Sequence, residues 1–256
     1  MTTRECGWVC PSDARFVGLA SKCRFAEELS KEGPCRRLPG AHAILCAWRL
    51  GGNSTVGGTS AARRRAGTGV TLPGTIQQGA AVDAVLCAAV RLAGSGDARG
   101  PEEIAASAAA LEAVRHPQVR MRHRAGVAAG AALRLLFDRC LTPVATQVPL
   151  PGSAFGVCPV ADMLCIDRKG KVHIVELKFG GGAAVCRGSH HQAHLAQLAM
   201  QSCCAAVCGI GPVPATRCHL LVVAALRPAG AKAIARMVTL PARVLKNVNA
   251  LLRENH

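Results

Sequence analysis

Residues 157–179, VCPVADMLCIDRKGKVHIVELKF, constrain the chain more than any other stretch. Val157 to Ile166 is apolar and β-prone, Asp167-Arg168-Lys169-Gly170 carries turn residues, and Lys171 to Phe179 resumes the alternation. The pattern predicts two strands joined by a tight turn. If Asp167 pairs with Lys171 across a three-residue loop, with Gly170 taking a positive φ, Asp162 falls directly opposite Glu176. Cross-strand partners hold their Cβ atoms about 4.5–5.5 Å apart. Two carboxylates at that range repel each other unless a cation lies between them. Lys178, on the same side of its strand as Glu176, stands beside them. That is a divalent-metal site in outline, suited to Mg²⁺ or Mn²⁺, which prefer carboxylate oxygen.

Asp162, followed by Glu176-Leu177-Lys178 on the next strand, resembles the signature of the PD-(D/E)XK nuclease superfamily, an acid and then (D/E)-x-K. The proline–acid pair is relaxed here, with Pro159 three residues ahead of Asp162 and Ala161 immediately before it. Within that superfamily, the IVELK wording and the glutamine-bearing helix beyond it resemble a nuclear protein family found across the herpesviruses. The herpesviral likeness covers roughly Arg134 to Arg253 and leaves the first half unmatched.

The resemblance implies an α/β fold. A restriction-endonuclease-like core, ordered helix, three strands, helix, strand, would occupy residues 118–256, behind a mainly helical N-terminal region in residues 1–117. It implies metal ligands at Asp162, Glu176 and the backbone carbonyl of Leu177. Catalytic residues would be Asp162, Glu176, Lys178 and Gln197, with Lys178 orienting water or neutralising the phosphate. The implied activity is metal-dependent hydrolysis of nucleic-acid phosphodiesters, DNA ahead of RNA, in a nucleus. The family also implies host or viral protein partners, so a catalytically silent binding or interaction protein on the same fold is the alternative.

Charge points the same way. The 256 residues carry a formal charge of +16, and a surface this basic attracts polyanions, phosphate backbones above all. With no Tyr, five Phe and two Trp, the core must be aliphatic, and stacking platforms for successive unpaired bases are disfavoured. Fourteen cysteines in a chain with no apolar leader at Met1 to Cys10 read as reduced, buried thiols of a nuclear or cytoplasmic protein, not a secreted disulfide scaffold. The longest charge-free run, Gly188 to Thr216, is broken by glutamines, Gly209 and prolines and makes a poor membrane span.

Along the first half, Phe25 to Ser30 predicts a short helix and Ala41 to Leu50 an apolar segment. Cys6, Cys10, Cys23 and Cys35 have irregular spacings for zinc. Residues 51–74 read as a flexible loop carrying Arg63-Arg64-Arg65. Thr75 to Leu92 predicts a helix with a packing face at Ala80, Ala81, Ala84, Val85 and Ala88. Pro101 opens another, with Glu102 and Glu103 at the positive end of its dipole, and Pro117 ends it.

Gln118 to Cys140 predicts a long basic helix whose Arg120, Arg122, Arg124 and Arg134 are candidates to hold a phosphate backbone. A third metal-site acid is left open, with Asp138 near the end of that helix and Glu112 on the preceding one. Pro143 to Leu150 predicts a strand, and Gly180 to Gly182 a mobile or phosphate-approaching loop. Ser189 and Gln192 make a capping-box pattern opening a helix that Gly209 closes. His190, His194, Gln197 and Gln201 share one of its faces. That stripe either places Gln197 at the site, faces solvent, or joins Cys186 around zinc. Arg217 to Leu226 predicts a buried strand, Ala231 to Arg236 a helix, and Leu240 to Arg253 an amphipathic helix packing through Leu245, Val248 and Leu252.

Overall fold

The alternating runs on either side of Asp167-Arg168-Lys169-Gly170 form the middle of a five-stranded sheet. Its strands are β1 (Thr142–Pro149), β2 (Val160–Ile166), β3 (Val172–Phe179), β4 (Cys218–Ala225) and β5 (Ala233–Thr239), lying side by side in that order. β1–β2, β2–β3 and β4–β5 pair antiparallel, whereas β3 and β4 are parallel. A parallel pair needs a crossover, and helix α5 (Gly188–Val207) supplies it. The computed structural model describes residues 8–32, 73–94, 99–112, 119–152, 158–179, 188–225 and 233–254. The other helices are α1 (Ala14–Glu32), α2 (Pro73–Gly94), α3 (Pro101–Leu111), α4 (Val119–Asp138) and α6 (Ala242–Glu254). From α4 onward the order is helix, three strands, helix, two strands, helix, behind a mainly helical first part.

The central hairpin follows from its turn. Asp167 N–H donates to Lys171 O at 3.0 Å, and Asp167 Oδ1 accepts the N–H groups of Lys169 and Lys171, both at 2.8 Å. Gly170 takes the positive φ, 71°, and a Cβ there would also come within 2.6 Å of the Arg15 side chain. The register then runs from Ile166↔Val172 to Met163↔Val175. One step further stand Asp162 and Glu176.

Helices cover both faces. On one, α2, α3 and α4 bury Met163, Cys165, Val175, Leu177, Leu221 and Val223. On the other, α1, α5 and α6 cover Leu164, Ile166 and Ile174. The core is aliphatic, as the scarcity of rings requires. Ala125, Ala128, Ala129 and Ala132 on α4 are buried, so α3 packs close enough that a Cβ on Gly126 would meet that of Ala109 at 3.1 Å. Leu133 and Leu136 fill the space toward the sheet, each contributing roughly 1.5–3 kcal/mol by burial.

Three elements differ from the sequence reading. Ala233–Thr239 is a strand, whereas Ala231 to Arg236 reads as a helix by its alanines and basic residues. Pairing with β4 overrides that local preference: Ala233, Ala235 and Met237 pack inward while Ile234 and Arg236 point out. Helix α1 begins at Ala14, well before Phe25. Asp13 Oδ1 caps it by accepting the Arg15 N–H at 2.8 Å, and Phe16, Leu19, Cys23 and Ala26 form its buried stripe. Helix α5 starts at Gly188, so Ser189 lies inside it; Gly209 closes it at φ 86°, with Gly211 N–H returning to Ala205 O.

Helix α6 buries Val248 and Leu252, with Leu245 packed alongside, mainly against α5. No disulfide joins the ten described cysteines, of which Cys23, Cys165, Cys204, Cys208 and Cys218 are buried. Among the described residues no helix is long and apolar enough to cross a membrane. Cys6, Cys35, the 41–50 segment, Arg63 to Arg65, Pro117, Gly180 to Gly182 and Cys186 lie outside the described residues.

Candidate functional site

Where the β2–β3 pairing stops, side chains take over from the backbone. Asp162 Oδ2 accepts the N–H of Leu177 at 2.8 Å, and its Oδ1 accepts an N–H from Gln147 of β1 at 3.3 Å. Gln147 has φ 52°, the left-handed region that a residue with a Cβ seldom enters.

Glu176 lies beneath, 1 % exposed. Its Oε1 accepts from Lys178 Nζ, and from Gln197 Nε2 at 2.7 Å. Its Oε2 accepts from Gln201 Nε2 at 2.7 Å. Gln197 and Gln201 stand one turn apart on α5, so a single helix face delivers both amides. Gln201 Nε2 also donates to Val160 O at 2.8 Å, which ties α5 to the start of β2. Gln201 is fully buried, and its Oε1 makes no hydrogen bond. A buried carbonyl oxygen left over next to the Glu176 carboxylate suits a water or cation as its partner.

The electrostatics are strained toward binding a cation. Burial, and then the neighbouring Asp162, push the Glu176 carboxyl up to about 7 despite the ammonium of Lys178. Burial likewise raises Asp162, with Lys178 and the Leu177 N–H pulling the other way. Burial works against the charge on Lys178, but Glu176 and Asp162 outweigh it and hold the ammonium above its usual range. A third acid acts on the group from α2: Asp83, raised to about 6 by burial and by Asp162. With all three carboxylates ionised against one ammonium, the site would be doubly negative inside a chain of charge +16, and burial raises their pKa values to oppose that state. A divalent cation would neutralise that excess, and the oxygen-rich donor set matches a hard ion.

Asp162, Glu176, Lys178 and Gln197 therefore come together, and Gln201 faces Glu176 rather than solvent. Leu177 lies between Glu176 and Lys178, its side chain buried on the opposite face. Among the described residues no group of three or more His, Cys, Asp or Glu stands together as ligands for one ion, so Asp83 acts on the Asp162–Glu176 pair through its charge. Asp138 is exposed at the end of α4, next to the start of β1 and at the far end of the sheet from Asp162. Glu112 lies 4.0 Å from Arg91. Neither joins the site. In sequence, Asp83 is the lone acid of a 22-residue helix whose other charge is Arg91. An isolated acid on an apolar helix is the signal that could have found it, since acids are seldom buried without a partner.

Helix α4 covers the face opposite α5, away from the glutamine clamp. Arg134 on it is held by Glu102 of α3, Nε to Oε1 2.7 Å, and Arg124 is half-buried. Arg120 and Arg122 lie on α4 with side chains outside the described residues, as does the His190 side chain on α5. Cys10 is exposed and Cys23 sits in the core, its thiol pushed up to about 12 by burial. No protein-family model matches the chain, and none of the curated proteins matches it.

Proposed function

We propose that the chain is a Mg²⁺- or Mn²⁺-dependent nuclease with a restriction-endonuclease-like core of PD-(D/E)XK type. The observation that carries this reading is Asp162 standing one register step beyond Met163↔Val175, opposite a buried Glu176 that Lys178 contacts. The order of α4, β1, β2, β3, α5 and β4, with β3 parallel to β4, supports it. The overall charge of +16 supports a polyanionic substrate, with DNA ahead of RNA and a nuclear location as part of the same reading.

Asp162 and Glu176 would hold the ion, and the Leu177 carbonyl would add a third oxygen. When bound, the ion supplies Lewis acidity toward the phosphodiester and a more acidic water. Gln197 and Gln201 fix the Glu176 carboxylate from the α5 side. Lys178 orients the attacking water or meets the charge that develops on the phosphate. Metal-dependent cleavage that disappears in Glu176→Ala tests the proposal.

A second reading has its own observation. Both Glu176 oxygens are already occupied by Lys178, Gln197 and Gln201, a saturated arrangement that suits a silent site on a nucleic-acid-binding or virus–host interaction protein. On that reading wild type binds nucleic acid as tightly as Glu176→Ala does and cleaves nothing.

A further inference from the structure

Gln147 and Asp162 stand where two strands change phase together. On β1, Thr146 meets the Cys87 thiol of α2, yet Val148, two residues on, is buried in the opposite core with α1 and α5. On β2, Met163 belongs to the core under α2 and α4, and Ala161 to the other one. Residues two apart in a regular strand share a face. The pleat therefore inverts on both strands at once, at Gln147 and at Asp162, which oppose each other between the pairs Thr146↔Met163 and Val148↔Ala161.

The inversion has a backbone cause. Gln147 is the residue of β1 with a positive φ, 52°, and such a conformation persists only where its surroundings enforce it. Across the strand, the carboxylate of Asp162, not its backbone, meets the N–H of Leu177. The Gln147 amide then reaches the second carboxylate oxygen at 3.3 Å.

We propose that Gln147 is the positioning residue of the acid pair: its left-handed backbone turns Asp162 out of the ladder, and its amide orients the carboxylate toward Glu176. The inference rests on reading Asp162 and Glu176 as the holders of a divalent ion. The sequence offers Gln147 as an ordinary strand residue, and only its backbone angle and its partner single it out.

The test is a Mn²⁺ titration of the full chain at pH 8, read as the rise in Tm, for wild type, Gln147→Gly and Gln147→Val. A wild type without any Mn²⁺-dependent rise overturns the metal reading and this inference with it. Given a rise in wild type, glycine keeps the left-handed turn at no steric cost and deletes the amide. Its metal-free Tm is expected at or above wild type, with the Mn²⁺ midpoint about tenfold higher, the usual effect of losing a residue that orients a ligand. Valine, β-branched and intolerant of positive φ, is expected to lose the Mn²⁺ response. A glycine variant with the wild-type Mn²⁺ midpoint overturns the proposal, whether or not the valine variant folds.

Discussion

Gln201, from the middle of α5, donates one amide hydrogen bond to Glu176 Oε2 and another to Val160 O, so one fully buried side chain couples the acid of β3 to the first residue of β2. Gln201→Leu is close in volume and leaves both acceptors unsatisfied. The expected loss is about 1–3 kcal/mol of stability in urea unfolding, the usual cost of orphaning buried acceptors. The same change in the solvent-facing Gln192 should be neutral within about 0.5 kcal/mol.

Asp162→Asn should make the metal-free protein more stable. The asparagine oxygen can still accept the Leu177 N–H, and the negative charge that helps raise Glu176 is gone. A gain on the order of 1–2 kcal/mol is expected, each unit of relieved shift being worth about 1.4 kcal/mol. Urea unfolding without metal measures the gain, and repeating it with Mn²⁺ should show no further stabilisation.

The acid cluster sets a pH dependence. Glu176 moves from 4.5 unfolded to about 7 folded, and Asp83 from 3.8 to about 6. Both folded values are raised, so their stabilising effect is complete below the unfolded values and is lost as pH rises through 6 to 7. Without metal, the stability of wild type relative to Asp162→Asn should therefore fall between pH 5 and 8. Mn²⁺, competing with protons for the same oxygens, should reverse the fall above pH 7. Unfolding curves at unit pH intervals check both.

A second buried titratable group works in the opposite sense. His173 Nδ1 lies 3.0 Å from His219 Nε2, and the nearly parallel rings, 13° apart with centroids at 5.3 Å, are joined edge to edge. Asp167 Oδ2 flanks His173 at 3.5 Å, and Thr239 Oγ1 flanks His219 at 3.3 Å. Burial, then the charges of His173 and Arg139, drive His219 down to about 4; burial also lowers His173, with Arg217 assisting and Asp167 opposing. Depressed folded values mean that this stabilisation is present above 6.5 and lost as pH falls toward 4. His219→Gln should flatten the acid limb of the stability curve by about 1–3 kcal/mol between pH 6.5 and 4.

Arg134→Ala should leave nucleic-acid affinity close to wild type, because Glu102 already holds that guanidinium. A salt-dependent binding titration decides it; a drop in the slope of log K against log salt by about one would put Arg134 on a phosphate after all.

Much of the sheet was legible because its signals are local. Asp167 and Gly170 dictate the turn, the turn dictates the register, and the register brings Asp162 opposite Glu176. Gln197 and Gln201 follow from helical spacing once α5 lies over β3. Asp83 did not emerge, because only tertiary packing carries α2 to β1 and β3. Gln147 did not, because a left-handed backbone at a non-glycine leaves no mark in sequence. β5 departs from its local preference for a related reason: the edge of β4, absent from any local window, turns an alanine-rich segment into a strand.

The most direct measurement is cleavage of supercoiled plasmid, linear duplex and single-stranded RNA with Mg²⁺ or Mn²⁺, comparing wild type with Glu176→Ala and Lys178→Ala. We predict metal-dependent cleavage by wild type, DNA ahead of RNA, that falls by at least about a hundredfold in either variant. A wild type that binds these substrates but cleaves none of them, with affinity unchanged in both variants, would contradict the nuclease and leave the binding protein.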